Sequence, residues 1–167
     1  MRFKIGDQVI HSNYGGGEII AIEERQFDDT QAARLFYTVA INRSTVWVPV
    51  DEDGGTPLRL RATKKLLVRC RQVLKSQPNP LSDDKRQRYV DISSRTRQAS
   101  FESLCEVLRD VTALGWPKSL VSTDAQIWRK INEAVCQEWA HAAGIPAADA
   151  QREITALLDE GRRLHQR

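Results

Sequence analysis

The stretch Leu35-Phe36-Tyr37-Thr38-Val39-Ala40-Ile41-Asn42-Arg43-Ser44-Thr45-Val46-Trp47-Val48-Pro49-Val50 is two runs of β-branched and aromatic residues broken by a three-residue turn. Period-two alternation of this kind marks strands that bury one face, and the short polar interruption marks a hairpin. Working back toward the start, Val9-Ile10 and Ile19-Ile20-Ala21-Ile22 have the same character, with Asn13-Tyr14-Gly15-Gly16-Gly17 read as the turn between them and Asp28-Asp29-Thr30-Gln31 as the next. Working forward, the acidic run Asp51 to Gly55 leads to a last short strand, Leu58-Arg59-Leu60. A small sheet must protect its face and its edges, so a curled SH3-like or Tudor-like β-barrel over residues 1–60 is expected. Pro49 forfeits a ladder hydrogen bond, which puts its strand at an edge or a bulge.

After Thr63 the period changes to three and four. Leu66, Leu67, Cys70, Val73 and Leu74 begin the series. Ser82, with Asp83 and Asp84 behind it, is read as the cap of a second helix, and Phe101, Leu104, Cys105, Leu108 and Val111 line a third. Thr123 caps a fourth with Ile127, Ile131, Val135 and Trp139 in line; Pro146 opens a fifth whose core side is Ile154, Leu157, Leu158 and Leu164. The fold class is therefore α+β, with a barrel over 1–60 and a bundle of about five helices over 61–167.

Charge divides along the same line. Residues 1–60 hold 6 Lys and Arg against 9 Asp and Glu, a net of −3, and residues 61–167 hold 19 against 13, a net of +6. An acidic front and a basic back point to two partners with different surfaces. The start, Met1-Arg2-Phe3-Lys4-Ile5-Gly6-Asp7, contains no apolar run, and no segment has the length to span a bilayer, so a cytoplasmic protein is expected. Cys70, Cys105 and Cys136 are widely spaced and fall on apolar helix positions, which reads as buried free thiols. No Cys or His pair has zinc-ligand spacing, no Ser-His-Asp or Cys-His arrangement is legible, and the triglycine lacks the following Lys-Ser/Thr of a phosphate loop. No catalytic residue, metal or cofactor is expected.

Taken in order, Phe3-Lys4-Ile5-Gly6-Asp7-Gln8-Val9-Ile10, Tyr14-Gly15-Gly16-Gly17, Phe36-Tyr37, Thr45-Val46-Trp47-Val48-Pro49-Val50 and Leu58-Arg59 resemble the opening domain of the CarD/CdnL family, a module also found in transcription-repair coupling factors. Arg88-Tyr89 followed by Glu106-Val107-Leu108-Arg109-Asp110 extends the resemblance into the helical half. It implies a regulator, not an enzyme, whose barrel docks on the RNA polymerase β subunit, partly by strand pairing, and whose helices approach promoter DNA near the upstream edge of the bubble. It also implies a docking role for Arg25; Trp47, which stands where relatives often carry a basic or polar residue just before Val48-Pro49, is read with those two residues as part of the docking surface because a Trp on an exposed strand suits an interface, although it serves equally well as filling for a seam between domains. The barrel itself as a nucleic-acid-binding adaptor is the alternative. Lys85, Arg86, Arg88, Arg95 and Arg97 make the second helix strongly basic and are the expected phosphate contacts. Relatives commonly carry a Trp wedge shortly before the Arg-Tyr pair, and here that position is Lys85. Trp128, beside Arg129 and Lys130, is the one candidate substitute. A lysine cannot unstack a base step, so DNA contact is expected to be chiefly electrostatic, by a monomer.

Overall fold

A computed structural model describes residues 3–26, 32–50, 56–97 and 99–166. Five strands and then five helices lie within them, and the chain divides into two compact units, Met1–Arg61 and Ala62–Arg167. The turn expected at Asp28 to Gln31 and the acidic run from Asp51 to Gly55 lie outside the described residues.

In the first unit β1 (Gln8–His11), β2 (Gly15–Arg25), β3 (Arg34–Ile41), β4 (Ser44–Pro49) and β5 (Leu58–Leu60) form one antiparallel, barrel-like sheet in the order β4-β3-β2-β1-β5. β4, the strand that carries Pro49, is at one end of that order, where a missing amide costs the ladder least. Val9, Ile19, Tyr37, Val39, Ile41, Val48 and Leu58 point inward and close a core with Phe3, whose ring meets Tyr37 edge-on at 5.5 Å. Ile19 and Ile22 both serve this side, which strict alternation forbids. A bulge between Ile19 and Ala21 resolves the conflict: one extra residue resets the parity and leaves Ile20 exposed.

The triglycine is strand, not turn. Gly15, Gly16 and Gly17 pair with His11, Ile10 and Val9, and the turn is confined to Ser12, Asn13 and Tyr14. Gly15 enters the strand at a φ of +82°, which glycine adopts without a Cβ penalty. Gly17 is required by proximity, because a Cβ there would stand 2.5 Å from the Ala40 carbonyl oxygen and 2.6 Å from Ile41 Cγ1.

In the second unit α1 (Lys64–Lys75), α2 (Lys85–Thr96), α3 (Phe101–Leu114), α4 (Ser122–Ala143) and α5 (Ala147–His165) surround α3 as the most buried helix. Leu67, Cys70 and Leu74 of α1, Phe101, Cys105 and Leu108 of α3, Val135 and Trp139 of α4 and Ile154 of α5 meet in one core. The stripe expected for each helix is therefore the stripe that packs, and the three cysteines are buried free thiols. Thr63 and Ser100 cap α1 and α3 by accepting from the amides of Leu66 and Ser103. α4 ends at Gly144, left-handed at φ +70°.

Three local expectations are corrected. Asp84, not Ser82, caps α2, accepting from the Gln87 amide at 2.7 Å, while the Ser82 hydroxyl accepts from the Asp84 amide. Thr123 does not cap α4 but lies in its first turn: the helix begins at Ser122, and its N-cap is Val121, whose side chain has no acceptor to offer. Leu164 is 61% exposed, since α5 has passed the end of the core by its last turn.

Candidate functional site

Two surfaces carry the residues singled out by the sequence. The first is the outer face of the sheet. The β2–β3 and β3–β4 registers pair Glu23 with Phe36 and Phe36 with Pro49, then Ala21 with Thr38 and Thr38 with Trp47, so these side chains share the face opposite the core. Arg25 lies two residues beyond Glu23 on the same face.

Glu23 Oε1 is the hub of this face. It accepts from the Thr38 hydroxyl at 2.6 Å, from Arg25 Nη2 at 2.8 Å and from Arg25 Nε at 3.2 Å. The bonds from Thr38 and then Arg25 hold its carboxyl below the usual carboxylate range, so it is charged at neutral pH and offsets the guanidinium beside it. Arg25 in turn lies with its guanidinium carbon 4.3 Å from the centre of the Trp47 ring, a cation–π contact worth on the order of 0.5–1 kcal/mol at an exposed site. Trp47 nonetheless stays 42% exposed, a large ring held in place on the surface. The face thus offers a fixed aromatic platform with a compensated ion pair behind it. Arg25 is less a free basic contact than the group that orients Trp47.

Pro49 is exposed beside Phe36 at the end of β4. Val48 requires a correction: it is 2% exposed and packs into the barrel core against Tyr37's strand, so its side chain cannot reach a partner. Period two already places Val48 opposite Trp47. Glu23 and Thr38 were missed by sequence reasoning; the only sequence signal is polar side chains at Glu23 and Arg25, two apart on one face of a strand.

The second surface is α2, and here burial divides the five cations. Arg88 is a core residue. Its Nη2 and Nε donate to the two carboxylate oxygens of Asp124 at 2.9 and 3.3 Å, its Nη1 donates to the Ser82 and Asp83 carbonyls, and its side chain is 8% exposed. Arg95 donates to Asp110 Oδ2 at 2.7 Å, and Asp110, fully buried, also accepts from Arg109 Nε and Nη2 and from the Asn79 amide. Arg88 and Arg95 are thus committed to internal carboxylates, Arg88 from a buried position and Arg95 with its side chain 32% exposed. They stand four before and three after buried Ile92, on the face that packs inward, and their charges are matched by buried acids. Lys85, Arg86 and Arg97 remain exposed and have no ion pair among the described residues.

A further basic helix went unremarked. α1 holds Lys64, Lys65, Arg69, Arg71 and Lys75 and no acid. Arg71 and Lys75 pair with Glu153 and Glu160 of α5 and Arg69 with Glu102 of α3, which accounts for most of that charge internally. Trp128, half-buried against the helical core, donates its indole N–H to the Thr112 hydroxyl at 2.8 Å and serves packing.

The Cys105 thiol is pushed up by its hydrogen bond with Cys70 and by burial, and Cys136 donates to the Ala147 carbonyl, so both stay neutral. Among the described residues no three His, Cys, Asp or Glu side chains group as a metal site needs, and no helix is long and apolar enough to cross a membrane.

Residues 3–55, which supply the sheet and its platform, match the family model described as the CarD-like/TRCF RID domain. The N-terminal domain belongs to the CarD-like family. A second likeness spans more of the chain than this CarD-like domain. The chain is 22% identical over 143 residues to the protein named "Putative transcription factor YdeB" of Bacillus subtilis (strain 168), across 86% of this chain and 94% of that one. An alignment of that extent takes in helices of the second unit as well as the CarD-like domain.

Proposed function

We propose that the chain is a bacterial transcription regulator that docks on the RNA polymerase β subunit through its CarD-like domain and modulates the open promoter complex by electrostatic contact of α2 with DNA. The observation that carries the reading is the family match of residues 3–55. The platform on the matched domain suits docking: Trp47 is presented in a fixed orientation, which lowers the entropy lost on binding, and tryptophan is the residue type most often found at the energetic centre of an interface. β4, at the end of the sheet order, suits an added strand held by main-chain hydrogen bonds.

The DNA half of the proposal now rests on Lys85, Arg86 and Arg97 in place of five cations. Three phosphate contacts give a salt slope of roughly −2.7 on logarithmic axes, modest enough that the polymerase must supply most of the affinity. The net charge of −3 on residues 1–60 argues against the barrel as the nucleic-acid-binding element. No catalytic step, cofactor or metal enters this function.

The test is open-complex lifetime on a single promoter with purified polymerase. The wild-type chain is expected to change the lifetime, and the Lys85→Gln/Arg86→Gln/Arg97→Gln variant to bind polymerase yet lose that effect. A triple variant that matches the wild type would remove DNA contact by α2 from the account.

A further inference from the structure

Cys70 and Cys105 meet inside the helical unit. Cys70 lies between Leu67 and Leu74 on the buried stripe of α1, Cys105 between Phe101 and Leu108 on that of α3, and both cysteines are 0% exposed within one apolar core. Their thiols share a hydrogen bond in which Cys105 donates and Cys70 accepts. At the surface of the same α1–α3 seam, Arg69 Nε meets Glu102 Oε1 at 2.7 Å, one residue before Cys70 and three before Cys105, which fixes how the two helices face each other at that level. The third cysteine, Cys136, is engaged elsewhere, donating to the Ala147 carbonyl at 3.2 Å.

A single buried cysteine behaves as a small apolar side chain, and packing is reason enough for it. Two thiols in contact across a helix seam have a chemistry that one does not. Held together by the fold, they react as an intramolecular pair, at an effective concentration far above that of any thiol in solution. Burial also selects the product: sulfinic and sulfonic acids carry charge, which an apolar core disfavours, whereas a disulfide is neutral. We propose that Cys70 and Cys105 form a redox site, a dithiol that a small peroxide converts to a reversible disulfide tying α1 to α3.

The couple moves two electrons. The Cys70 sulfur attacks one oxygen of hydrogen peroxide; the S–O bond forms as the O–O bond breaks, and the thiol proton leaves with the departing hydroxide as water. The Cys105 sulfur then displaces the hydroxyl of the Cys70 sulfenic acid; the S–S bond forms as the S–O bond breaks, and the Cys105 proton leaves in a second water. Cys70 reacts first because the hydrogen bond it accepts from Cys105 holds its pKa below the ordinary thiol value, while the same bond and burial push Cys105 up. Full burial makes the site slow and selective: the oxidant must be small and uncharged, as peroxide is and glutathione disulfide is not.

The full chain is incubated with hydrogen peroxide under native conditions, then denatured, alkylated with iodoacetamide and mapped by non-reducing peptide mass spectrometry. A peptide pair linked through Cys70 and Cys105 is expected, with alkylation confined to Cys136 and full reversal by dithiothreitol. The oxidised chain should melt about 5 °C or more above the reduced one, since the cross-link restricts the unfolded state. Cys105→Ala should stop at a dimedone-reactive sulfenic acid on Cys70, and Cys136→Ala should form the link as the wild type does. Free thiols at both positions after incubation, linkage through Cys136, sulfinic acid as the main product, or a link that forms only in denaturant would each overturn the redox site. An oxidised chain that melts below the reduced one would overturn the tie between α1 and α3, because the folded core would then have to distort to accept the bond.

Discussion

Arg88→Ala is expected to unfold the helical unit far more readily than any substitution of its basic neighbours on α2. The perturbation removes one partner of a buried pair: Arg88 and Asp124 side chains are 8% and 11% exposed, joined by two hydrogen bonds, with a third and fourth running from Arg88 Nη1 to main-chain carbonyls. Truncation leaves the Asp124 carboxylate buried without its counter-charge, at a cost of about 3–5 kcal/mol. The orphaned carbonyls of Ser82 and Asp83 add little, since Asp83 is exposed and Ser82 half-exposed, and water reaches both. In a unit of roughly 100 residues each kcal/mol moves the midpoint by about 4–8 °C, so a fall of at least about 12 °C is expected. Far-UV circular dichroism of the full chain during heating reads this directly, because the helical signal comes from the second unit. Arg86→Ala, on the exposed side of the same turn, should move the midpoint by less than about 4 °C. Arg88→Met combined with Asp124→Leu removes both charges and should recover most of the loss. A shift for Arg88→Ala no larger than that for Arg86→Ala would refute the assignment of Arg88 to the core and return it to the candidate phosphate contacts.

Gly17→Ala should destabilise the sheet by about 2 kcal/mol or more, because its Cβ would meet the Ala40 main-chain oxygen of β3, which cannot turn away, as well as the Ile41 side chain; hydrogen exchange of β2 and β3 amides reports it. His11 is buried and accepts from the Asn13 amide at Nδ1, and burial lowers its pKa from the ordinary value of about 6.5. The folded unit therefore disfavours the proton: stability is full above about pH 6.5 and falls as the pH drops below it, so the CarD-like domain should exchange faster at about pH 5.5 than at about pH 7.5 after correction for intrinsic rates, and His11→Gln should flatten the difference. Trp139→Phe deletes the indole N–H that donates to Glu153 and opens space in a fully buried site, for an expected loss of about 1–3 kcal/mol in urea denaturation of the helical unit.

The strands and helices were legible because each buries a single face, and a single face leaves a period in the sequence. Tyr37, Val39 and Ile41 in β3, or Leu67, Cys70 and Leu74 in α1, carry that period. Legibility failed where the third dimension overrides the period. The bulge at Ile20 is invisible in a run of four apolar residues, and the triglycine reads as turn because the neighbours that exclude a Cβ at Gly17, Ala40 and Ile41, come from another strand. The basic helix failed for a related reason. Arg88 and Arg95 share the face of Ile92, which the helical period does show. Their partners Asp124 and Asp110 lie 36 and 15 positions away, and no local pattern links them. Charge composition counts a buried, matched arginine and an exposed, unmatched one alike.

The most direct measurement of the central claim is the affinity of the full chain for the isolated RNA polymerase β subunit, compared among wild type, Trp47→Ala and Arg25→Glu. The account predicts tight wild-type binding, a loss of about thirty-fold for Trp47→Ala as the anchor of the docking face, and a loss for Arg25→Glu as the group that orients it. Retention of wild-type affinity by Trp47→Ala, or no binding of the β subunit by the wild type, would contradict it.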